Sequence, residues 1–195
     1  LSRTQADLYA KSLNVGDPAG THYHIVDESG NILLGGTSAL AATVDEINRV
    51  ADVSTRLVNC AAATLALTTA LHDGKIVTLN KADGQAITLP AATGSGSRFR
   101  LFIGTTITSV GTTIKVVGND IMVGLAKLLP DSGTTGLIYA TAADTDTITL
   151  DGSTTGGIKG MFIDLIDIAA DTWSVLVEGT ATGSEATPFS ATVTP

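Results

Sequence analysis

The chain has 195 residues, of which 44% are hydrophobic, 4% aromatic and 15% charged. Its 11 Lys and Arg stand against 19 Asp and Glu, a net charge of −8, so a polyanion such as nucleic acid is repelled rather than bound. A single cysteine, Cys60, excludes an intrachain disulfide and a thiolate metal cluster, and no apolar run reaches the roughly eighteen residues of a membrane-spanning helix.

The first segment, residues 1–20, is polar and ends in NVGDPAG, where Gly16, Asp17, Pro18 and Gly20 mark a loop. It reads either as an arm that docks elsewhere or as a short helix, Gln5 to Leu13, packed on its own domain. It has no apolar core of signal-peptide length, so the expectation is synthesis in a cytoplasm and export, if any, inside a larger particle. Residues 21–36 read as a β-hairpin, with Tyr23–Val26 and Ile32–Leu34 as strands and Asp27, Ser29, Gly30 and Asn31 in the turn. A lone hairpin is marginal in water and needs a partner.

Residues Thr43 to Val58, TVDEINRVADVSTRLV, form an amphipathic helix pattern. Thr43 is the expected N-cap and Glu46 completes a capping box. Asp45 adds negative charge where the helix dipole favours it. Val44, Ile47, Ala51, Ser54 and Val58 recur at spacings of three and four, and Ile47, Val50, Ser54 and Leu57 make an overlapping seam. About 24 Å of helix is marginal alone. The stripe therefore seeds a short parallel bundle around a symmetry axis or lies on its own sheet. The oligomer-interface expectation is Val44, Ile47, Val50, Ala51, Ser54, Leu57 and Val58.

From Thr64 onward the period changes to two. TLALT, KIVTL, AITLP, RFRLFI, TIKVV, LIYAT, DTITL, MFIDLIDI and TWSVLVEG read as strands separated by Gly- and Asp-rich turns. Asp73-Gly74, Asp83-Gly84 and Asp151-Gly152 are hairpin-type dipeptides. Ile121 to Leu129 breaks the alternation and reads as a helical turn or a bulged strand. The tail EATPFSATVTP reads as a final strand or an exchanged arm. No solenoid repeat is evident. The fold class is mainly β, an antiparallel sandwich or barrel preceded by a β-hairpin and one short amphipathic helix. The expected divisions are 1–20, 21–60 and 61–195.

Chemistry-bearing residues are few. His22 and His24 share one face of a predicted strand. That face is read as structural, although in a trimer the pair could ring an axis and hold a metal. His72 sits beside Asp73 in a predicted turn. Asp144, Asp146 and Asp151 flank a strand as turn residues and lack calcium-loop spacing. Asp164, Asp167 and Asp171 resemble paired glycosidase carboxylates only in proximity, and a sugar groove would want more aromatics than one Trp, three Tyr and four Phe. Arg98 and Arg100 alternate onto one strand face, read as solvated or salt-bridged rather than phosphate-binding. Cys60 reads as a small buried residue. ATGSGS and STTGGIKG lack phosphate-loop spacing and read as turns. No catalytic or cofactor site is expected, and an enzyme, such as a depolymerase, is the least supported class.

The segment TVDEINRVADVSTRLVN, followed by TLALTTALHDGKIVTLNKADGQAITLPAATGSGSRFRLFI and the ending GSEATPFSATV, resembles a recurrent module of tailed-bacteriophage virion proteins. There a T-x-x-E-[IL]-N helix leads into a Thr-rich β domain. The resemblance runs from about Ala41 to the C-terminus. It implies a non-enzymatic capsid decoration (cement) or head-fibre protein on the outer phage head, trimeric, with itself and the major capsid protein as partners. From the acidic balance, the lack of a long apolar run and the lack of a site motif, no cofactor, no nucleic acid and no membrane partner is expected. The alternative the resemblance leaves open is a head- or tail-fibre module for receptor or glycan binding.

Overall fold

The computed structural model describes residues 56–132 and 135–193, and in addition 14–16, 22–24, 33–34, 38–39 and 47. The chain divides into two compact units, Leu1–Val53 and Ser54–Pro195. In the first, strand β1 (Asn14–Gly16) pairs antiparallel with β2 (His22–His24), and β3 (Leu33–Leu34) with β4 (Ser38–Ala39). Among the described residues, the two strands of the expected hairpin, Tyr23–Val26 and Ile32–Leu34, pair with other partners rather than with each other, and its turn, Asp27 to Asn31, lies outside the described residues. The Gly16–Gly20 loop signal falls between β1 and β2, and this turn chemistry lies closer in sequence than the expected partner. The alternative helix Gln5–Leu13 lies outside the described residues.

Ile47 is helical, and Val44, Val50, Ala51 and Ser54 lie outside the described residues. The helix expected through Val58 is corrected at its end. Leu57 and Val58 belong to strand β5 (Leu57–Cys60) and cannot sit on a helical seam. Both are followed by Asn59 and Cys60 in the same extended run, and parallel pairing with a neighbouring strand outweighs local helix propensity.

The second unit is mainly β, a sandwich of two sheets. After β5 come β6 (Thr64–Ala66), helix α1 (Thr69–His72), β7 (Ile76–Leu79), β8 (Ala86–Thr88), β9 (Arg98–Ile103), β10 (Thr112–Lys115), β11 (Ile121–Pro130), β12 (Leu137–Ala140), β13 (Thr147–Leu150), β14 (Phe162–Ala169), β15 (Thr172–Ala181) and β16 (Phe189–Ser190). One sheet has the order β12-β11-β15-β14-β9-β7-β5 and the other β16-β13-β10-β8-β6.

The sheets are mixed. β9, β14 and β15 pair antiparallel, as do β11 with β12 and β13 with both β10 and β16. From β5 to β10, however, the chain alternates between the sheets, so each strand lies parallel to the one two places earlier. Leu57, Ile76 and Arg100 fall into one register across this winding, and Thr64, Ala86 and Thr113 into another. The intervals between them are unequal, which is why no sequence repeat marks the winding. β11 also runs parallel to β15, over its whole length.

Ile121 to Leu129 resolves as strand, not helix. Gly124 lies so close to Val175 that a Cβ there would run into the Val175 carbonyl oxygen. The tail returns as β16 onto β13 of its own sheet. Helix α1 was unexpected; Thr68 caps it by accepting from the Leu71 N–H at 3.3 Å. Gly74, Gly84 and Gly152 all have positive φ, as the Asp-Gly turn signals require.

Alternation places Phe99, Leu101 and Ile103, with Leu165, Val175 and Trp173, on the inner face of the larger sheet. They pack with Ile87, Ile114 and Ile148 of the smaller one in a single core. Trp173 is fully buried, its ring centroid 5.6 Å from that of Phe99. Among the described residues, no helix is long and apolar enough to cross a membrane.

Candidate functional site

The buried carboxylates act as clamps on loops. Asp167 is 2% exposed. Its two oxygens accept from the Thr93, Gly94 and Ser95 N–H groups at 2.7 to 3.1 Å, and from the Thr93 and Ser95 hydroxyls. Burial alone would raise its pKa. The donors from Ser95, Thr93 and Gly94 outweigh burial and hold it at about 2. Asp120 accepts from the Ala92 N–H at 2.7 Å, so two carboxylates fix the loop that reads ATGSGS.

Asp146 does the same for the tail, accepting from the Thr192 and Val193 N–H groups at 2.8 and 3.0 Å and from the Thr147 hydroxyl. Desolvation opposes its ionisation, but these donors hold the pKa below the ordinary value. Asp151 caps its own turn through the Ser153 and Thr155 N–H groups and the Thr154 hydroxyl.

The three acidic residues around β13 are thus not a cation loop: Asp146 and Asp151 are spent on separate segments, and Asp144 is exposed. Among the described residues, no three His, Cys, Asp or Glu groups gather to hold a metal. Asp164 and Asp167 lie three apart on β14 and point to opposite faces of the sheet, and Asp171 occupies the turn after it with a positive φ. They do not form a facing carboxylate pair. His72 ends helix α1, buried, with its Nδ1 accepting from the Thr68 N–H at 3.0 Å. Burial, with Lys75 nearby, lowers its pKa and favours the neutral ring. Cys60 is buried, 3.2 Å from the Gln85 amide nitrogen that donates to it. The side chains of His22 and His24 lie outside the described residues.

Arg98 and Arg100 do share the outer face of the larger sheet, and they are salt-bridged. Arg100 binds Asp164 through two parallel bonds, Nε to Oδ1 at 2.7 Å and Nη2 to Oδ2 at 2.6 Å. Arg98 Nη2 reaches the same carboxylate at 3.2 Å. The bonds from Arg100, added to those from Arg98, keep Asp164 ionised below the usual carboxylate range despite its burial. Arg100 also lies over the Phe162 ring, 5.5 Å from its centroid.

Strand register extends this face. Leu57, Ile76, Arg100, Asp164, Leu176, Leu125 and Ala140 make one continuous cross-sheet row. The next row ends in Glu178, Lys127 and Ile138, with Lys127 bonded to Glu178 at 3.0 Å. Ile76, Val123, Leu129 and Ile138 are all exposed on this side. A shallow groove at one end is lined by Gly74, Lys75, Ile76, Arg98 and Arg100. Reading the strands individually missed this surface. The available signal was the aliphatic character of positions that alternation turns outward, where a solvated sheet carries polar residues.

Fold and surface together define a two-sheet β-sandwich whose loops are fastened by ionised carboxylates and whose larger sheet presents an apolar, ion-paired outer face. Compared with family models, curated proteins and solved structures, the chain matches none of them.

Proposed function

We propose that this chain is a non-catalytic structural protein of a tailed-bacteriophage virion. In this reading it binds the outer capsid surface as a decoration or cement protein and stabilises the head. The observation that carries the reading is the use made of its charged groups. Asp146, Asp151, Asp164 and Asp167 are consumed in fastening loops and strands, and the surface left over is a broad sheet face suited to contact rather than chemistry. The sequence resemblance points the same way, and the net charge of −8 suits an outward-facing protein that stays off the packaged DNA.

The proposed assembly is a homotrimer. Val44, Ile47, Val50, Ala51 and Ser54 remain the proposed helical seam, and residues 1–20 the proposed capsid contact. Many modest contacts on a lattice add by avidity. The test is co-sedimentation of the purified chain with phage heads lacking it. Saturable binding that raises the heat resistance of the heads is expected. Protein left in the supernatant at micromolar concentration would refute the reading, and glycan-array binding without head binding would replace it with a receptor-binding fibre module. Deleting residues 1–20 is expected to abolish head binding; undiminished occupancy would remove the arm from the contact.

A further inference from the structure

We infer that the Asp83-Gly84 bond is a site of spontaneous backbone modification, at which the folded protein converts aspartate to isoaspartate through a succinimide. The inference needs neither a partner nor the function proposed above.

The reaction is intramolecular and draws only on water. The Gly84 amide nitrogen attacks the Asp83 side-chain carbon Cγ. An N–C bond forms, and the carboxyl hydroxyl leaves with the amide proton as water. Water then opens the five-membered ring at either carbonyl. One opening restores aspartate. The other leaves the main chain running through the Asp83 side chain, one methylene longer, with a free α-carboxylate. Glycine favours the attack because no side chain blocks its nitrogen and its backbone turns freely. The chain has three Asp-Gly bonds, beginning at Asp73, Asp83 and Asp151. Their dipeptide chemistry is the same, so the fold sets them apart.

Ring closure must release two groups, the carboxyl and the glycine N–H. At Asp73-Gly74 strand β9 grips both: Asp73 Oδ1 accepts from the Arg98 N–H at 2.8 Å, and the Gly74 N–H donates to the Arg98 carbonyl at 2.9 Å. At Asp151-Gly152 the carboxylate accepts from the Ser153 and Thr155 N–H groups and the Thr154 hydroxyl, while the Gly152 N–H donates to the Gly156 carbonyl at 2.7 Å. Asp83 is held by side chains alone, the Lys81 ammonium at 2.9 Å and the Ser109 hydroxyl at 3.4 Å, and its own side chain is 69% exposed. The Gly84 N–H bonds only within its own turn, to the Lys81 carbonyl at 3.2 Å. An exposed ion pair contributes little, so this turn opens at lower cost than the other two.

The product has a structural consequence. Gly84 is buried against Gly111, where a Cβ would run into the Gly111 carbonyl oxygen. Gln85, the next residue, is buried and donates to the Ala62 carbonyl at 2.6 Å, tying the start of β8 to the loop between β5 and β6. This packing slows the reaction below its rate in the unfolded chain. It is also what a lengthened backbone displaces, so the isoaspartyl form should unfold at a lower temperature.

The test is prolonged incubation of the full chain in mildly acidic buffer, with a parallel sample in urea as the clock. Peptide mapping by electron-transfer fragmentation distinguishes isoaspartate from aspartate at each bond. In urea the three bonds should convert at similar rates, whereas in the folded protein Asp83 should convert at least about fivefold faster than Asp73 or Asp151. Lys81→Ala should speed conversion at Asp83, because the ammonium beside the carboxyl lowers its pKa and holds it in the ionised form that does not lose water. Asp83→Glu should abolish conversion at this bond, since the longer side chain closes a less favourable ring. Trp173 fluorescence verifies that each variant is folded. Equal rates at the three bonds of the folded protein, or a faster rate at Asp73 or Asp151, would overturn the inference. So would an Asp83 that stays unmodified when folded while the urea sample has converted. An unchanged rate in Lys81→Ala would overturn the restraining role of the ion pair.

Discussion

Replacing Asp167 by Asn tests the carboxylate clamp directly. The wild-type carboxylate accepts only, and every partner it meets is a donor: three backbone N–H groups and two hydroxyls. An amide keeps one acceptor oxygen and turns an NH2 group toward those donors, leaving buried N–H groups unmatched. Bonds to an ionised acceptor contribute about 1.5–3 kcal/mol, so a cost of roughly 3 kcal/mol at pH 7 is expected. The pH dependence is the sharper test. Folding lowers the Asp167 pKa from 3.8 to about 2. At roughly 1.4 kcal/mol per unit this is about 2 kcal/mol of stability. Because the folded value is the lower one, that stabilisation is fully present above 3.8 and fades as the pH falls through about 2. Urea unfolding of both proteins between pH 7 and pH 2 isolates it, since the other acids titrate alike in each. The stability gap between wild type and Asp167→Asn should narrow by about 2 kcal/mol over that range. A gap that stays constant with pH, or one below about 0.5 kcal/mol at pH 7, would refute the argument.

Three further perturbations follow from the same structure. Trp173→Ala should cost about 3–5 kcal/mol in urea unfolding, whereas Trp173→Phe should cost far less; Phe keeps most of the ring against Phe99 and removes a buried indole N–H that has no acceptor. Asp164→Ala should destabilise by about 2–3 kcal/mol because it strands two arginines side by side, while Arg98→Ala, at an exposed and weaker bridge, should cost under about 1 kcal/mol; equal losses would contradict the assignment of Asp164 as the shared anchor. Gly124→Ala should lower Tm by roughly 10 °C, because its Cβ meets the Val175 carbonyl between β11 and β15, whereas Gly118→Ala, which faces open space, should cost only about 1 kcal/mol for its positive φ.

The sequence by itself determined the class of fold and most strand positions. Period-two alternation in RFRLFI turns Phe99, Leu101 and Ile103 inward and both arginines outward, and the structure has them so. Asp-Gly turns were legible because only a residue tolerating positive φ fits there. Strand direction was not legible, since a period of two looks the same in a parallel and an antiparallel strand. The parallel winding from β5 to β10 follows from which distant strand each one meets. Tertiary pairing also drew Leu57 and Val58 into β5, against an apolar spacing that reads equally well as helix. Helix α1, four residues long, is too short to show a period. The same limit governs the clamps and the outer face. Alternation says which side Arg100 faces, but only register sets it opposite Asp164. Nothing local to ATGSGS announces that Asp167, far along the chain, will gather its N–H groups. Local pattern decides which face a side chain takes, and long-range register decides what it meets there.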